Sequence, residues 1–277
     1  MSEEAAAAAN WSKASRQWSL VASPLRPDAG DIAFVEDIIR RWTAKAGRPP
    51  RALLLGVTAE LATCAWPAGT RLTAVDNSQA MIGALWPAPG LPEGARVVCG
   101  DWRTMPLADA SIDIAVGDGC YTAAPYGDGG TISREVARVL EPEGVFAIRT
   151  FGSPDRRERL EELAEAVVAG EVGNVHALKW RIAAVVQPSV AAGARLGDIW
   201  AAFQVLRPAV ARMQGRPGWS EPELGTLDRY RDNDLRFFFP TAEEFRAITE
   251  PWLVEDQRSQ GGYPLAERCL RYVFRRR

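Results

Sequence analysis

The sequence predicts an α/β fold, a doubly wound, seven-stranded, mostly parallel sheet interrupted by a helical cap insertion. Three observations predict it. Short apolar runs recur at 52–57, 72–75, 97–99, 112–116 and 145–150, each bounded by Gly, Asp or Pro. Segments of helical length lie between most of them, and strands buried on both faces by crossover helices read in this way. From Gly152 to about Pro240 the texture turns helical, and two further strand-like runs follow at 252–256 and 269–274, joined by Gly261-Gly262.

Taken in order, residues 1–50 form an N-terminal lid and helix. The lid is polar, with embedded Trp11 and Trp18, and Pro24 and Pro27 break regular structure. Asp31 is placed to cap a helix over 32–46, with Ile32, Val35, Ile38, Ile39 and Trp42 on one face and Gly47 and Pro49-Pro50 ending it. Residues 51–151 and 241–277 form the sheet domain. Within 152–240, Ser153-Pro154-Asp155 reads as a helix start ahead of Leu160, Leu163, Val167 and Val168, and Asn174 as the cap of a helix carrying Leu178, Ile182, Val185 and Val186. A third helical pattern runs from Leu196 through Phe203 to Met213, and Thr241-Ala242-Glu243-Glu244 reads as a capping box for a helix with Phe245 and Ile248. A structureless segment of that length is improbable, so 152–240 is read as a cap or substrate sub-domain.

Composition narrows the function classes. The 277 residues are 47% hydrophobic and 25% charged with a net charge of −2, and the only basic run is Arg275-Arg276-Arg277. That balance argues against a nucleic-acid partner, which needs clustered cations. No apolar stretch approaches the roughly 20 residues of a membrane span. The first ten residues are Ala-rich and acidic, without the basic and apolar regions of a secretory signal. Four cysteines lie far apart and the chain has one histidine, so no metal site is expected and the cytoplasm is the expected compartment.

Ligands of open α/β sheets sit outside the carboxyl ends of the strands, so four strand ends carry the chemistry. The first run passes into Gly56-Val57-Thr58, where backbone N–H groups can face a ligand or simply make a βα turn. The second ends at Asp76-Asn77-Ser78. Asp76 stands twenty residues after Gly56, the offset at which a carboxylate accepts from ribose hydroxyls; capping of the next helix by Asp76 or Ser78 is the plain alternative. The third ends at Gly100-Asp101-Trp102, an acceptor for an adenine amino group beside an aromatic face, or an acidic turn with a core Trp. The fourth ends at Gly117-Asp118-Gly119, beside the reacting group or as an ordinary glycine turn.

In this order and spacing, the chain resembles the class I S-adenosylmethionine-dependent methyltransferases over about residues 50–151 and the C-terminal strand pair. The stretch from Arg134 to Phe146, closing on Arg138-Val139-Leu140-Glu141-Pro142-Glu143-Gly144, looks like that family's entry into strand five. The resemblance implies S-adenosylmethionine as cofactor, held by Gly56, Val57, Thr58, Asp76, Asn77, Met81, Gly100, Asp101, Trp102, Gly117 and Asp118. In such an arrangement the first loop takes the amino-acid part, strand two the ribose, strand three the adenine, and strand four ends near the methyl group. The glycine pattern of the first loop departs from the family: Leu54 stands at its acidic position, Thr58 at the second glycine and Glu60 at the third.

The expected reaction is methyl transfer to a small-molecule acceptor, with alignment and water exclusion supplied by the insertion and the Trp11–Trp18 segment. His176, Tyr121 and Tyr126 are the candidate catalytic side chains. His176 is either a general base or a helix-start residue. Tyr230, Arg231, Asp232 and Asp234 either line a pocket or form an exposed connection. Two other readings stand beside this one: a catalytically inactive S-adenosylmethionine-binding regulatory or partner protein, and a nicotinamide-dependent dehydrogenase, which the missing G-x-G-x-x-G disfavours.

Overall fold

The structure is a computed structural model and describes residues 17–277, so Trp11 lies outside the described residues. A strap, residues 17–28, carries a single 3₁₀ turn at Trp18–Leu20 and leads into helix α1 (Ala29–Ala46). The helix begins three residues earlier than expected because Asp28, not Asp31, is its cap. Asp31 N–H donates to Asp28 Oδ1 at 2.8 Å and Asp28 N–H donates to Asp31 Oδ2 at 3.1 Å, so the two acids cap reciprocally and Asp31 is the third helical residue.

The alternation that follows is β1 (Arg51–Leu55), one turn of α2 (Ala59–Ala62), β2 (Arg71–Asp76), α3 (Gln79–Leu85), β3 (Arg96–Cys99) and β4 (Ile112–Asp118). Then come the single turn α4 (Cys120–Ala123), α5 (Gly129–Val139) and β5 (Leu140–Arg149). The helical region holds α6 (Leu160–Ala169), α7 (Val175–Val186), α8 (Leu196–Val210) and the short α9 (Glu221–Gly225), with a two-residue ribbon of β6 (Ala194–Arg195) and β7 (Arg236–Phe237) that the sequence did not signal. Helix α10 (Ala242–Thr249), β8 (Leu253–Ser259) and β9 (Arg271–Arg276) complete the chain.

Seven strands form one sheet in the order β3-β2-β1-β4-β5-β9-β8. The first five are parallel and β9 runs antiparallel to both neighbours. Each strand sends alternate residues to opposite faces. Ala52, Leu54, Leu72, Ala74, Ile114 and Val116 pack with Val35, Ile38 and Ile39 of α1. Leu53, Leu55, Ala115, Phe146 and Ile148 pack on the other side with Ile132 and Val136 of α5 and Phe245 of α10. Both faces being covered is why these strands read as unbroken apolar runs.

The helical region has a core of its own, built around Leu163, Val167, Leu178, Trp180, Ile199, Phe203 and Leu206. Its ends meet: Ser153 N–H donates to Pro240 O at 3.0 Å, and Trp180 Nε1 donates to Gly152 O at 2.8 Å. No helix starts at Ser153-Pro154-Asp155. The Gly152 and Ser153 N–H groups are committed to Arg268 O and Pro240 O, and α6 begins only where Glu162 accepts from Arg159 N–H at 3.0 Å. Asn174 and Thr241 cap α7 and α10 as expected. Among the described residues no helix is long and apolar enough to cross a membrane.

Candidate functional site

The parallel strand order reverses direction between β1 and β4, which opens a crevice at their carboxyl ends. The register puts Leu55 beside both Val75 and Gly117, and Asp76 beside Cys99, so the four strand ends form one row.

At the end of β1 the chain turns through Gly56 at φ +95°, a conformation that side chains disfavour. Its N–H donates to Val75 O at 2.8 Å. A Cβ there would lie 3.7 Å from Asp76 Oδ2 and 3.9 Å from the Trp102 ring, so glycine keeps the space between them open. Val57 is buried, and Thr58 O accepts the first backbone bonds of the α2 turn. Glu60, on that turn, is ion-paired through Oε1 with Arg26 Nε of the strap, while its Oε2 is buried without a partner among the described residues.

Asp76 closes β2. Its Oδ1 accepts from Ser78 N–H at 2.7 Å, and among the described residues nothing donates to Oδ2. Burial pushes its pKa up to about 6, against the lowering effect of the Ser78 bond. Ser78, not Asp76, caps α3 by accepting from Met81 N–H at 3.3 Å, which leaves the Asp76 side chain for other use. Met81 is buried beneath and Asn77 is exposed.

After β3, Gly100 N–H donates to Asp76 O at 3.1 Å. Trp102 Nε1 donates to Val75 O at 2.6 Å, so the indole is pinned as a wall beside Gly56. Asp101 accepts from Arg103 Nε at 2.9 Å and from Arg103 N–H at 2.8 Å, and the Arg103 guanidinium holds its carboxyl below the usual range. Any amino group offered to Asp101 therefore shares it with Arg103, which also reaches Asp128 at 3.0 Å.

At the end of β4, Asp118 is held in a fork by Arg149, the last residue of β5, with Nε–Oδ1 2.6 Å and NH2–Oδ2 3.0 Å. Arg149 NH1 also reaches Pro24 O (2.9 Å), the Tyr263 hydroxyl (3.0 Å) and Asp31 Oδ2 (3.2 Å). Arg271 lies 3.6 Å from the other Asp31 oxygen, so two acids face two guanidinium groups. Burial acts to lower the Arg149 pKa, but the charge and hydrogen bonds of Asp118, together with Cys269 and Tyr263, outweigh it and keep the guanidinium charged. Gly117 precedes this pair; a Cβ on it would lie 2.8 Å from Cys120 Sγ.

The candidate catalytic side chains are engaged elsewhere. The Tyr121 hydroxyl shares a 2.9 Å hydrogen bond with Ser133 Oγ in the core, and its ring meets Phe245 edge-on. Tyr126 OH donates to Glu244 O at 3.0 Å. His176 is fully buried in α7, and burial, aided by Lys179 and opposed by a backbone bond at Leu20, pushes its pKa down to about 3. It is therefore neutral at physiological pH. Of the polar cluster, Tyr230 is core, Arg231 lies over the Trp200 ring, and Asp234 pairs with Arg195 at 2.9 Å.

Sequence reasoning missed Arg26, Asp31 as a site residue, Arg149 and Tyr263. For Arg149 a signal existed, a lone charge ending the apolar run 145–150. The others come from segments more than a hundred residues from it in the chain, and nothing local marks them. No group of three or more His, Cys, Asp or Glu side chains among the described residues is arranged to hold a metal ion.

Residues 53–148 match a family model described as a methyltransferase domain. No curated protein matches the sequence. Among solved structures, a Rhodobacter sphaeroides protein described as a putative Zn-dependent alcohol dehydrogenase shares the fold at TM-score 0.63, with 17% identity over 98% of this chain and 99% of that one. The PH0226 protein of Pyrococcus horikoshii does so at TM-score 0.51, with 13% identity over 88% and 90%. The Burkholderia thailandensis 1,6-didemethyltoxoflavin-N1-methyltransferase, solved with 1,6-didemethyltoxoflavin and S-adenosylhomocysteine, does so at TM-score 0.50, with 15% identity over 99% and 88%. At these identities the likeness is one of fold.

Proposed function

We propose, for a chain that carries a methyltransferase domain on the class I S-adenosylmethionine-dependent methyltransferase fold, that it transfers the methyl group of S-adenosylmethionine to a small organic acceptor in the cytoplasm. The observation that carries the reading is Asp76, a largely buried carboxylate with one oxygen free of donors among the described residues, facing the opening that Gly56 keeps clear. A ribose diol supplies the donors such a carboxylate lacks.

The other residues fit the group. Trp102 offers a fixed apolar wall next to Asp76, and Gly100 and Asp101 line the β3 end where a base would lie. Since β3, β2, β1 and β4 are neighbours in that order, a base at β3 and a ribose at β2 send the remainder of the molecule toward Val57, Thr58, Gly117 and Asp118. Bound there, the cofactor supplies a methyl group on a sulfonium, already activated for displacement.

The chain's part is then alignment and exclusion of water. The helical region approaches the end of β4 where Phe238 N–H donates to Thr122 O at 3.0 Å. The strap is tied down by Arg149 and by Asn174, whose Nδ2 donates to Ser23 O at 2.9 Å. Together they hem the strand-four end and favour an acceptor of limited size. With His176 neutral and enclosed, the reading assigns no histidine base; positioning carries the rate.

Release of S-adenosylhomocysteine from S-adenosylmethionine and a panel of small O-, N- and C-nucleophiles tests the proposal, and turnover with any of them supports it. A second reading, cofactor binding without turnover, is favoured by the closed Asp118–Arg149 fork, and is the outcome if S-adenosylhomocysteine binds but no acceptor is methylated. Failure to bind S-adenosylhomocysteine overturns both.

A further inference from the structure

Glu60 stands where the resembling family has a glycine, and the reading above gives it no task. One of its oxygens is paired with Arg26. The other, Oε2, is buried and has no hydrogen-bond partner among the described residues, a costly state for a carboxylate. Arg149 and Arg271 are committed to Asp118 and Asp31, and Arg26, besides its bond to Glu60, donates to Trp18 O at 3.3 Å and lies over the Trp18 ring. Glu60 sits on the turn after β1, next to β4 in the sheet order, and its charge is felt at Asp118.

This is also where the strand order sends the tail of a ligand whose base lies at β3 and whose ribose lies at β2. That tail is an α-amino acid, with an ammonium that needs an acceptor. We propose that Glu60 Oε2 binds the α-ammonium of the cofactor, with Arg26 as a positioning residue that fixes the carboxylate from the strap side. The departure from glycine thus replaces backbone contacts with a charge-assisted one. The inference rests on the proposed S-adenosylmethionine site and makes that site selective for ligands carrying the amine.

The test is isothermal titration of the full chain and of its Glu60→Gln and Arg26→Ala variants with three ligands. These are S-adenosylhomocysteine, its decarboxylated analogue, which keeps the amine, and 5′-methylthioadenosine, which has neither amine nor carboxylate. Glu60→Gln is nearly isosteric and is expected to weaken both amine-bearing ligands by about ten- to a hundredfold, the range of one charged hydrogen bond, while 5′-methylthioadenosine changes by no more than about twofold. Arg26→Ala frees the Glu60 carboxylate from its partner, and is expected to weaken the two amine-bearing ligands more than 5′-methylthioadenosine; an equal shift in all three overturns its positioning role. Equal losses for all three ligands in Glu60→Gln, or no loss, overturn the role of Glu60 and leave the cofactor reading standing. Wild-type protein that binds none of the three overturns the cofactor reading and this inference with it.

Discussion

Asp76 makes cofactor binding a function of pH in a range where few other groups titrate. Burial raises its pKa from an ordinary 3.8 to about 6. Hydroxyl donors from a ribose favour the ionised form, so the bound state has a lower pKa than the free state, and a proton on Asp76 competes with the ligand. Affinity is therefore steady above pH 7 and falls as the pH drops through 6. One unit below the pKa about one molecule in eleven is ionised, so the dissociation constant for S-adenosylhomocysteine rises about tenfold between pH 7 and pH 5, roughly 1.4 kcal/mol. At pH 6 binding releases about half a proton, which appears as a buffer-dependent heat in isothermal titration. Asp76→Asn is expected to bind more weakly and to lose the pH dependence. The same residue acts oppositely on folding. Its folded pKa lies above the unfolded one, so its contribution is favourable below about pH 4 and is lost as the pH rises through 6. At pH 8 the free Asp76→Asn variant is expected to be more stable than wild type by about 1–3 kcal/mol. A flat wild-type profile between pH 7 and 5, or the same slope in Asp76→Asn, refutes the reasoning.

Three further outcomes follow from the packing. Arg149→Met leaves Asp118 buried without its fork and is expected to cost about 3–5 kcal/mol in urea unfolding; a loss under about 1 kcal/mol would show that the fork does not hold the strand ends. Asp113, fully buried, accepts from Arg48 and from Arg51, whose bonds outweigh the effect of burial and hold its carboxyl well below the usual range. Asp113→Asn is expected to cost about 1.5–3 kcal/mol at pH 7, and the gap to wild type should narrow below about pH 4, where the wild-type contribution is lost; a constant gap down to pH 2 contradicts this. Trp180→Ala removes a buried indole that packs on Phe151 at 4.6 Å and donates to Gly152, and is expected to cost about 3–5 kcal/mol by the same assay, with less than about 1 kcal/mol counting against the tie between helical region and sheet.

The sheet was legible because its strands are covered on both faces, so that runs such as Ala52 to Leu55 are apolar without alternation and stand out from their surroundings. Caps at Asn174 and Thr241 were legible because one side chain bonds a backbone N–H three residues on, which is local chemistry. Asp28 and Asp31 show the limit of that logic: both are acids three apart, each bonds the other's backbone, and sequence alone does not say which of them is the first to leave the helix. The strand ends Gly56, Asp76, Asp101 and Asp118 were legible as a row, but their partners were not. Arg149 meets Pro24, Asp31, Asp118 and Tyr263, which belong to three separate stretches of chain. Such a junction exists only after folding and leaves no periodicity behind.

The placement of the helical region has a consequence for how the protein is made. Strand β5 pairs with β9, Arg149 opposite Arg271, yet everything from Phe151 to Leu270 must emerge from the ribosome before that partner exists. Until then β5 is a bare edge of a parallel sheet, with its N–H and C=O groups open to any strand that comes near. Parallel sheets closed by such distant pairings form slowly and are exposed to aggregation meanwhile. The intervening helices have their own core and can fold first, beside that edge, so the nascent chain carries its own shelter through the interval.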